Sequence, residues 1–284
     1  MNAGQPSRAA VRVALSRAAH QILDTPVVFD DPLALQMIGR EVAAALHADP
    51  SRFESQLGAS PLRAFLSVRS RVAEDALATA IEQGVRQYVV LGAGMDTYAF
   101  RHAGLPPRVF EVDQPATQEW KRMRLKDVGL AEPASLTFVP MDFEQQSLEE
   151  ELLSAGLDPA QPSFFSWLGV TPYLQKAAVW TTLQAVACFT RAGGGITFDY
   201  VIPVDSLNIL QRAKFAVLAG RAAQAGEPFQ TFFEPGALAR RLQAFGFPTV
   251  RDLGPDALNA TYFANRTDDL SVGAMGHVMT AWAR

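Results

Sequence analysis

QYVVLGAGMDTYAFRHAGLPPRVFEVD, residues 87–113, reads as a strand, a glycine turn, a short helical stretch and a second strand ending on an acid. QYVVL (87–91) is a continuous apolar run with little polar alternation, the pattern of a strand covered on both faces in a parallel sheet. Gly92 and Gly94 follow it directly, where a chain leaving a strand must turn sharply and where a ligand can approach the backbone. Asp113 comes 19 residues after Gly94, at the end of RVFEV (108–112). An acid at that place accepts hydrogen bonds from the two hydroxyls of a ribose. Glycine turn and spaced acid together point to a nucleoside ligand, with Ala93 and Gln114 beside them in the chain. Asp113 as a plain helix cap is the simpler alternative. Glu111 is read as a structural acid near the loop, paired with an arginine.

Three further runs extend the same pattern. SLTFVPM (135–141) ends at Asp142, FFSWL (164–168) ends near Gly169, and GITFDYV (195–201) follows. TVRDL and GHVMTAWA near the end are two more strands, expected to pair as a hairpin at the sheet edge. Five parallel strands plus two, alternating with helices, predict an α/β fold: a doubly wound, mostly parallel, seven-stranded sheet. Residues 1–85 show helical and loop segments and are expected to form an N-terminal helical cap on the same domain. One helix is placed at about 7–22, one after Asp30-Asp31-Pro32, and one over the segment that ends at Gly84. Residues 86–284 would form the core, with a helical insertion around 203–245.

Ligands of such sheets bind beyond the carboxyl ends of the strands. That leaves a short set of positions: Gly92 to Gly94, Asp113, Asp142 and Trp167 to Gly169. Asp142 can accept an adenine amine while Phe143 packs on the ring, or it can cap the helix that follows; the residues weigh evenly. The turn is not a full G-x-G-x-x-G, because Thr97 holds the sixth position. Asp96 beside a diphosphate would repel it, so a ligand carrying a cation suits the loop better and a nicotinamide-dependent oxidoreductase ranks second.

Composition narrows the remaining classes. The 284 residues are 49% hydrophobic and 19% charged, which excludes an intrinsically disordered chain. Twenty-five basic against 29 acidic residues give a net charge of −4, with no overall field to hold nucleic acid or an anionic membrane. One cysteine, Cys188, rules out an intrachain disulfide framework and is expected to serve as a small core residue. No apolar run approaches the length of a membrane-spanning helix. Arg8, Arg12 and Arg17 without an acid in the first 23 residues imitate a transit peptide, but an exposed helix in a cytoplasmic enzyme accounts for them. The histidines His20, His47, His102 and His277 are too scattered for a metal site, and none is expected. P-loop, zinc-protease and serine-hydrolase motifs are missing.

YVVLGAGMDTYAFR, VFEVDQP, VPMDFE, FFSWLGVTPYL and GEPFQTFFEPGALARRLQAFGF together resemble S-adenosylmethionine-dependent methyltransferases of the leucine carboxyl methyltransferase-like family, the branch with bacterial polyketide O-methyltransferases included. The resemblance implies a class I methyltransferase-like fold and S-adenosylmethionine as cofactor, leaving S-adenosylhomocysteine as product. It implies Gly92 and Gly94 along the methionine part, Asp113 at the ribose, and Asp142 with Phe143 at the adenine. An arginine in the helix before the first strand would take the cofactor carboxylate; Arg69 is preferred over Arg71, and Arg17 is a weaker helper. Trp167-Leu168-Gly169 stands where some members carry a glutamate, which speaks against a direct carry-over of leucine-carboxylate recognition. The expected reaction is O-methylation of a small-molecule acceptor, at a carboxylate or a hydroxyl. The alternatives are a protein C-terminal carboxyl methyltransferase and a cofactor-binding protein without turnover. Tyr98, Trp167, Tyr173, Tyr200, Phe229, Phe232 and Phe233 are the candidate acceptor pocket. His277, Tyr200 and Tyr173 are the nearest candidates for a base, and none is named as catalytic.

Overall fold

The computed structural model describes residues 8–50, 60–224 and 226–283. Helix α1 (Arg8–Leu23), the short α2 (Ala34–Met37), α3 (Arg40–Ala48) and the long α4 (Ser60–Glu82) precede the sheet. Gly84, with φ at +100°, stops the chain after α4, as its position in the sequence predicts. Then come β1 (Gln87–Leu91), α5 (Tyr98–Arg101), β2 (Arg108–Asp113), α6 (Pro115–Asp127), β3 (Leu136–Pro140), α7 (Leu148–Ser154) and β4 (Ser163–Trp167). A 3₁₀ turn at Thr171–Tyr173 leads to α8 (Lys176–Phe189) and β5 (Gly194–Val201). The chain closes with α9 (Ile209–Gln224), α10 (Pro235–Phe245), β6 (Thr249–Leu253), α11 (Pro255–Tyr262) and β7 (Gly276–Trp282). Among the described residues no helix is long and apolar enough to cross a membrane.

The seven strands lie in the order β3-β2-β1-β4-β5-β7-β6. Strands β1 to β5 run parallel, and β7 is antiparallel to both its neighbours. The last two strands do pair, yet not as a simple hairpin: α11 separates them, and β7 inserts between β5 and β6, leaving β6 at the edge. The burial of the strands explains this. GHVMTAW is buried at its five central positions, whereas TVRDL alternates exposed and half-buried, the pattern of an edge.

Side chains of alternate parity fill two faces. Val89, Leu91, Phe110, Val112, Phe165, Trp167, Ile196, Phe198 and Tyr200 make the main core with α7, α8 and α10. On the other face α4 packs on Tyr88, Val90, Val109 and Phe164. The N-terminal helices form their own core with Met95 of the glycine loop and Leu125 of α6. The cap is thereby joined to the loop that the sequence marks as the ligand turn. Helix α10 packs Leu238 and Leu242 into the main core, so the segment that lies off the sheet is confined to about 203–233. Cys188 is half-buried near Arg191 rather than in the core, because it falls on the outer side of α8.

Candidate functional site

The order of strands reverses between β1 and β4, and the residues of interest gather at the carboxyl ends of these two strands. Gly92 adopts φ +66°. A Cβ there would lie 2.3 Å from Cγ2 of Val170, in the loop after β4, so the close approach and the backbone angle both demand glycine. From the cap, Ala10 of α1 rests beside Gly94.

Asp113 turns back onto the loop. Its Oδ2 accepts from the Gly94 N–H at 2.5 Å and its Oδ1 from the Gln114 N–H at 2.7 Å. Burial raises its carboxyl above the usual range, against the opposing pull of those two bonds and of Lys121. Each oxygen keeps a lone pair for a further donor. Across the loop, Asp142 caps the turn that follows it, accepting from the Glu144 N–H at 2.9 Å and from Gln145 at 3.0 Å. Phe143 faces Trp167, ring centres 6.0 Å apart. Trp167 is fully buried, and its indole N–H has no partner among the described residues. A buried donor of that kind is costly unless something accepts from it.

Arg69 and Arg71 separate cleanly. Arg69 is buried and donates to Asp199 of β5 at 2.8 Å. Its guanidinium lies against Gly169, whose N–H donates to the other Asp199 oxygen at 2.5 Å. Arg71 is half exposed and pairs with Asp75 one turn along α4 at 2.7 Å, pointing away from the strand ends. The helical spacing decides it, since residues two apart face different sides. Arg71 is therefore removed from the site.

The polar residues of the loop face the cap. Arg17 bonds Asp31 at 2.7 Å and lies 3.5 Å from Asp96, while Thr97 donates to Asp31 at 2.9 Å. Arg101 joins Glu74 to this cluster. Asp96 is thus neutralised by buried cations; burial alone would raise its carboxyl, but Arg17, Lys121 and Arg101 hold it below the usual range. It does not project bare charge at a ligand, as the loop sequence suggested. Glu111 pairs with Lys121 of α6, not with an arginine, at 2.5 Å.

The expected acceptor lining divides. Tyr173, Phe229 and Phe215 stack in a row with centres 5.3 and 5.4 Å apart, and Phe232 meets Phe215 edge-on at 6.0 Å. Tyr173 is pushed up to about 12 by burial, within the fields of Arg69, Asp199, Glu227 and Arg12. Tyr98 is core: it meets Tyr88 edge-on at 4.9 Å and stacks on His102. Phe233 is packed between Trp180 and Tyr200 in the main core, on the face away from Arg69. Tyr200 donates to Asp252 at 2.9 Å, and His277 bonds the same carboxylate at 2.8 Å. Burial and the Asp252 charge carry the Tyr200 phenol well above its ordinary range. A cleft of about 360 Å³ between Gly39, Arg40, Arg124 and Asp127 contains none of these residues. It lies at the far end of α6 from Gln114, roughly 20 Å along a helix of 13 residues.

Comparison with known proteins adds the assignment. A family model described as leucine carboxyl methyltransferase matches residues 10–187. This chain belongs to the leucine carboxyl methyltransferase family. The methyltransferase is 32% identical, over 99% of both chains, to YktD of Bacillus subtilis, provisionally assigned as an S-adenosyl-L-methionine-dependent methyltransferase. A protein of Frankia alni with the same provisional assignment is 32% identical over 75% of this chain and 74% of its own. A solved structure from Streptomyces avermitilis, of the family duf574, superposes with TM-score 0.52 at 15% identity, covering 94% of this chain and 96% of that one, a likeness of fold. The methyltransferase thus uses S-adenosylmethionine, and its own residues fit such a ligand: a glycine cradle, a carboxylate with free lone pairs at the end of β2, and an orphaned buried indole N–H beside Phe143.

Proposed function

We propose that this methyltransferase methylates an oxygen atom of a small, apolar, natural-product-like acceptor, with a carboxylate preferred over a hydroxyl. The observation that carries the reading is the aromatic row Tyr173–Phe229–Phe215 beside the Arg69–Asp199 pair. Such a row offers a flat apolar acceptor a surface next to the arginine that would hold the cofactor.

Gly92, Gly94, Asp113, Asp142 and Phe143 would hold the cofactor, and Arg69 its carboxylate. When bound, S-adenosylmethionine supplies an electrophilic methyl group on a sulfonium. The chain's own residues then need to align an acceptor oxygen and exclude water, and orientation alone is worth roughly 7–11 kcal/mol. The α1 contact at Gly94 and the Val170 contact at Gly92 close the loop on two sides and would serve that exclusion. A hydroxyl acceptor benefits from a base near neutral pKa. Tyr173 and Tyr200 keep their protons at neutral pH, and His277 is tied to Asp252 inside the sheet. A carboxylate is already ionised and needs no base, which is why it ranks first.

We place the protein in the cytoplasm, acting on a free small molecule rather than on nucleic acid or a membrane, in keeping with its net charge of −4. Purified protein with labelled S-adenosylmethionine, offered aromatic and aliphatic carboxylic acids, phenols and peptides ending in leucine, tests the reading. Base-labile methyl esters of the small acids support it. Methylation confined to the peptides would move the assignment to a protein carboxyl methyltransferase. Cofactor binding with no product in any panel would leave a binding protein.

A further inference from the structure

A buried ion pair holds the glycine loop from behind. Lys121 of α6 is 1% exposed, and its ammonium donates to two acceptors: the backbone carbonyl of Asp96, at 2.6 Å, and Oε2 of Glu111, at 2.5 Å. Lysine is almost never buried to this degree unless paired. Glu111 lies two residues before Asp113 on the same face of β2, so one ammonium links the strand that carries the ribose acid to the loop it bonds. The other oxygen of Glu111, Oε1, is buried and has no hydrogen-bond partner among the described residues. A packed protein rarely leaves a carboxylate half satisfied in its interior, because the unsolvated oxygen costs stability.

The charges that face Glu111 come from three elements. Lys121 reaches it from α6, Asp96 from the loop, and Asp113 from its own strand; Arg17 of α1 and Arg101 of α5 act in turn on Asp96. Burial pushes the Glu111 carboxyl up to about 7, beyond what Lys121 offsets, and the two aspartates push the same way.

We propose that Lys121 is a positioning residue of the cofactor loop and that the charge on Glu111 sets how firmly it holds the Asp96 carbonyl, so that cofactor binding strengthens as Glu111 ionises. Ionised Glu111 neutralises the ammonium and draws it into the bridge at fixed length. Protonated Glu111 leaves the ammonium without its directly bonded counter-charge and adds a second donor beside the loop carbonyl. The loop segment that presents the Gly94 N–H to Asp113 loses its anchor, and the ribose site loosens with it. The inference rests on the S-adenosylmethionine site described above.

The test is calorimetric titration with S-adenosylhomocysteine at pH 6, 7 and 8, using wild type, Glu111→Gln and the double variant Glu111→Gln/Lys121→Met. Unfolding curves at each pH establish that each protein is folded. Wild-type Kd should fall as pH rises, by up to about tenfold per pH unit below the titration point. Both variants should show a markedly shallower slope than wild type, because neither carries the Glu111 carboxyl, while Asp113 remains in all three. The double variant removes the buried charges together and decides the matter if the single variant does not fold. A wild-type Kd flat between pH 6 and 8, or an equal slope in a folded variant, overturns the proposal while leaving the cofactor site standing. A folded wild type that binds at no pH removes the cofactor reading and this proposal with it.

Discussion

Replacing Gly169 with alanine tests the join between Arg69 and the β4 loop. Gly169 has φ +75°, and an added Cβ would stand 2.7 Å from Arg69 Nη2, 3.0 Å from Nη1 and 3.1 Å from Cζ. The left-handed backbone costs an alanine about 1–2 kcal/mol by itself. The guanidinium must also move by several tenths of an ångström, although it is buried and its Nη1 holds Asp199 at 2.8 Å. Complete loss of one partner of a buried pair costs about 3–5 kcal/mol; a displaced but retained pair should cost a fraction of that. Gly169→Ala is therefore expected to destabilise by about 2–5 kcal/mol in denaturant unfolding. It should also weaken S-adenosylhomocysteine binding, because the displaced arginine is the one assigned to the cofactor carboxylate. Gly220→Ala is the matched control, since nothing lies within 4 Å of its Cβ position and it sits inside α9. There the change should stabilise by about 0.5–1 kcal/mol. A Gly169→Ala protein as stable as wild type, with the same Kd, would refute the assigned role of Arg69.

Other substitutions divide site from scaffold. Asp113→Ala removes a charged acceptor worth about 1.5–3 kcal/mol per hydrogen bond, so affinity for S-adenosylhomocysteine should fall roughly 10- to 100-fold by titration. Arg71→Ala breaks an exposed helical pair worth about 0.3–0.5 kcal/mol and should leave Kd unchanged; a tenfold loss would return Arg71 to the site. Asp24 is buried, which alone would raise its carboxyl, but hydrogen bonds from Arg63 and His20 hold it below the usual range. Its stabilising effect is therefore complete above the ordinary carboxylate pKa of about 4 and is lost as pH falls through the lower folded value. Asp24→Asn should flatten the acid limb of the stability curve below about pH 4, and an unchanged limb would clear Asp24 of that role.

Much of the fold could be read from residues 87–113 and the runs beyond them. Strands covered on both faces must be largely apolar, so QYVVL, RVFEV and FFSWL announced themselves within a residue of their observed ends. The last two strands pair antiparallel at the sheet edge as expected, but α11 lies between them and β7 takes the inner place, which local pattern cannot tell because it carries no information on the order of neighbours. β7 entered the sheet beside β5 by burying its own five central residues. Likewise the two arginines of SVRSRV are alike in sequence, and only the packing of α4 turned Arg69 to Asp199 and Arg71 to water.

Aromatic residues at loop positions misled in the same way. Tyr98 and Phe233 satisfy the composition of a pocket, but burial is set by long-range neighbours, and both became core. Tyr173 instead stacks on Phe229, 56 residues away in the chain. Glu111 looked like a local acid awaiting an arginine. Its partner was Lys121, ten residues on, because β2 and α6 fold back on one another and bring those two positions together.

The sequence by itself determined the alternation of strands and helices, the glycine turn after β1 and the acid at the end of β2, since each follows from local backbone sterics and the need to cover apolar faces. The tertiary structure decided which charges meet: Asp96 with the cap, Arg69 with Asp199, Lys121 with Glu111 and the loop carbonyl. Pairing of buried charges depends on distances of a few ångströms between residues from 10 to 130 positions apart, and only the packed chain fixes those distances.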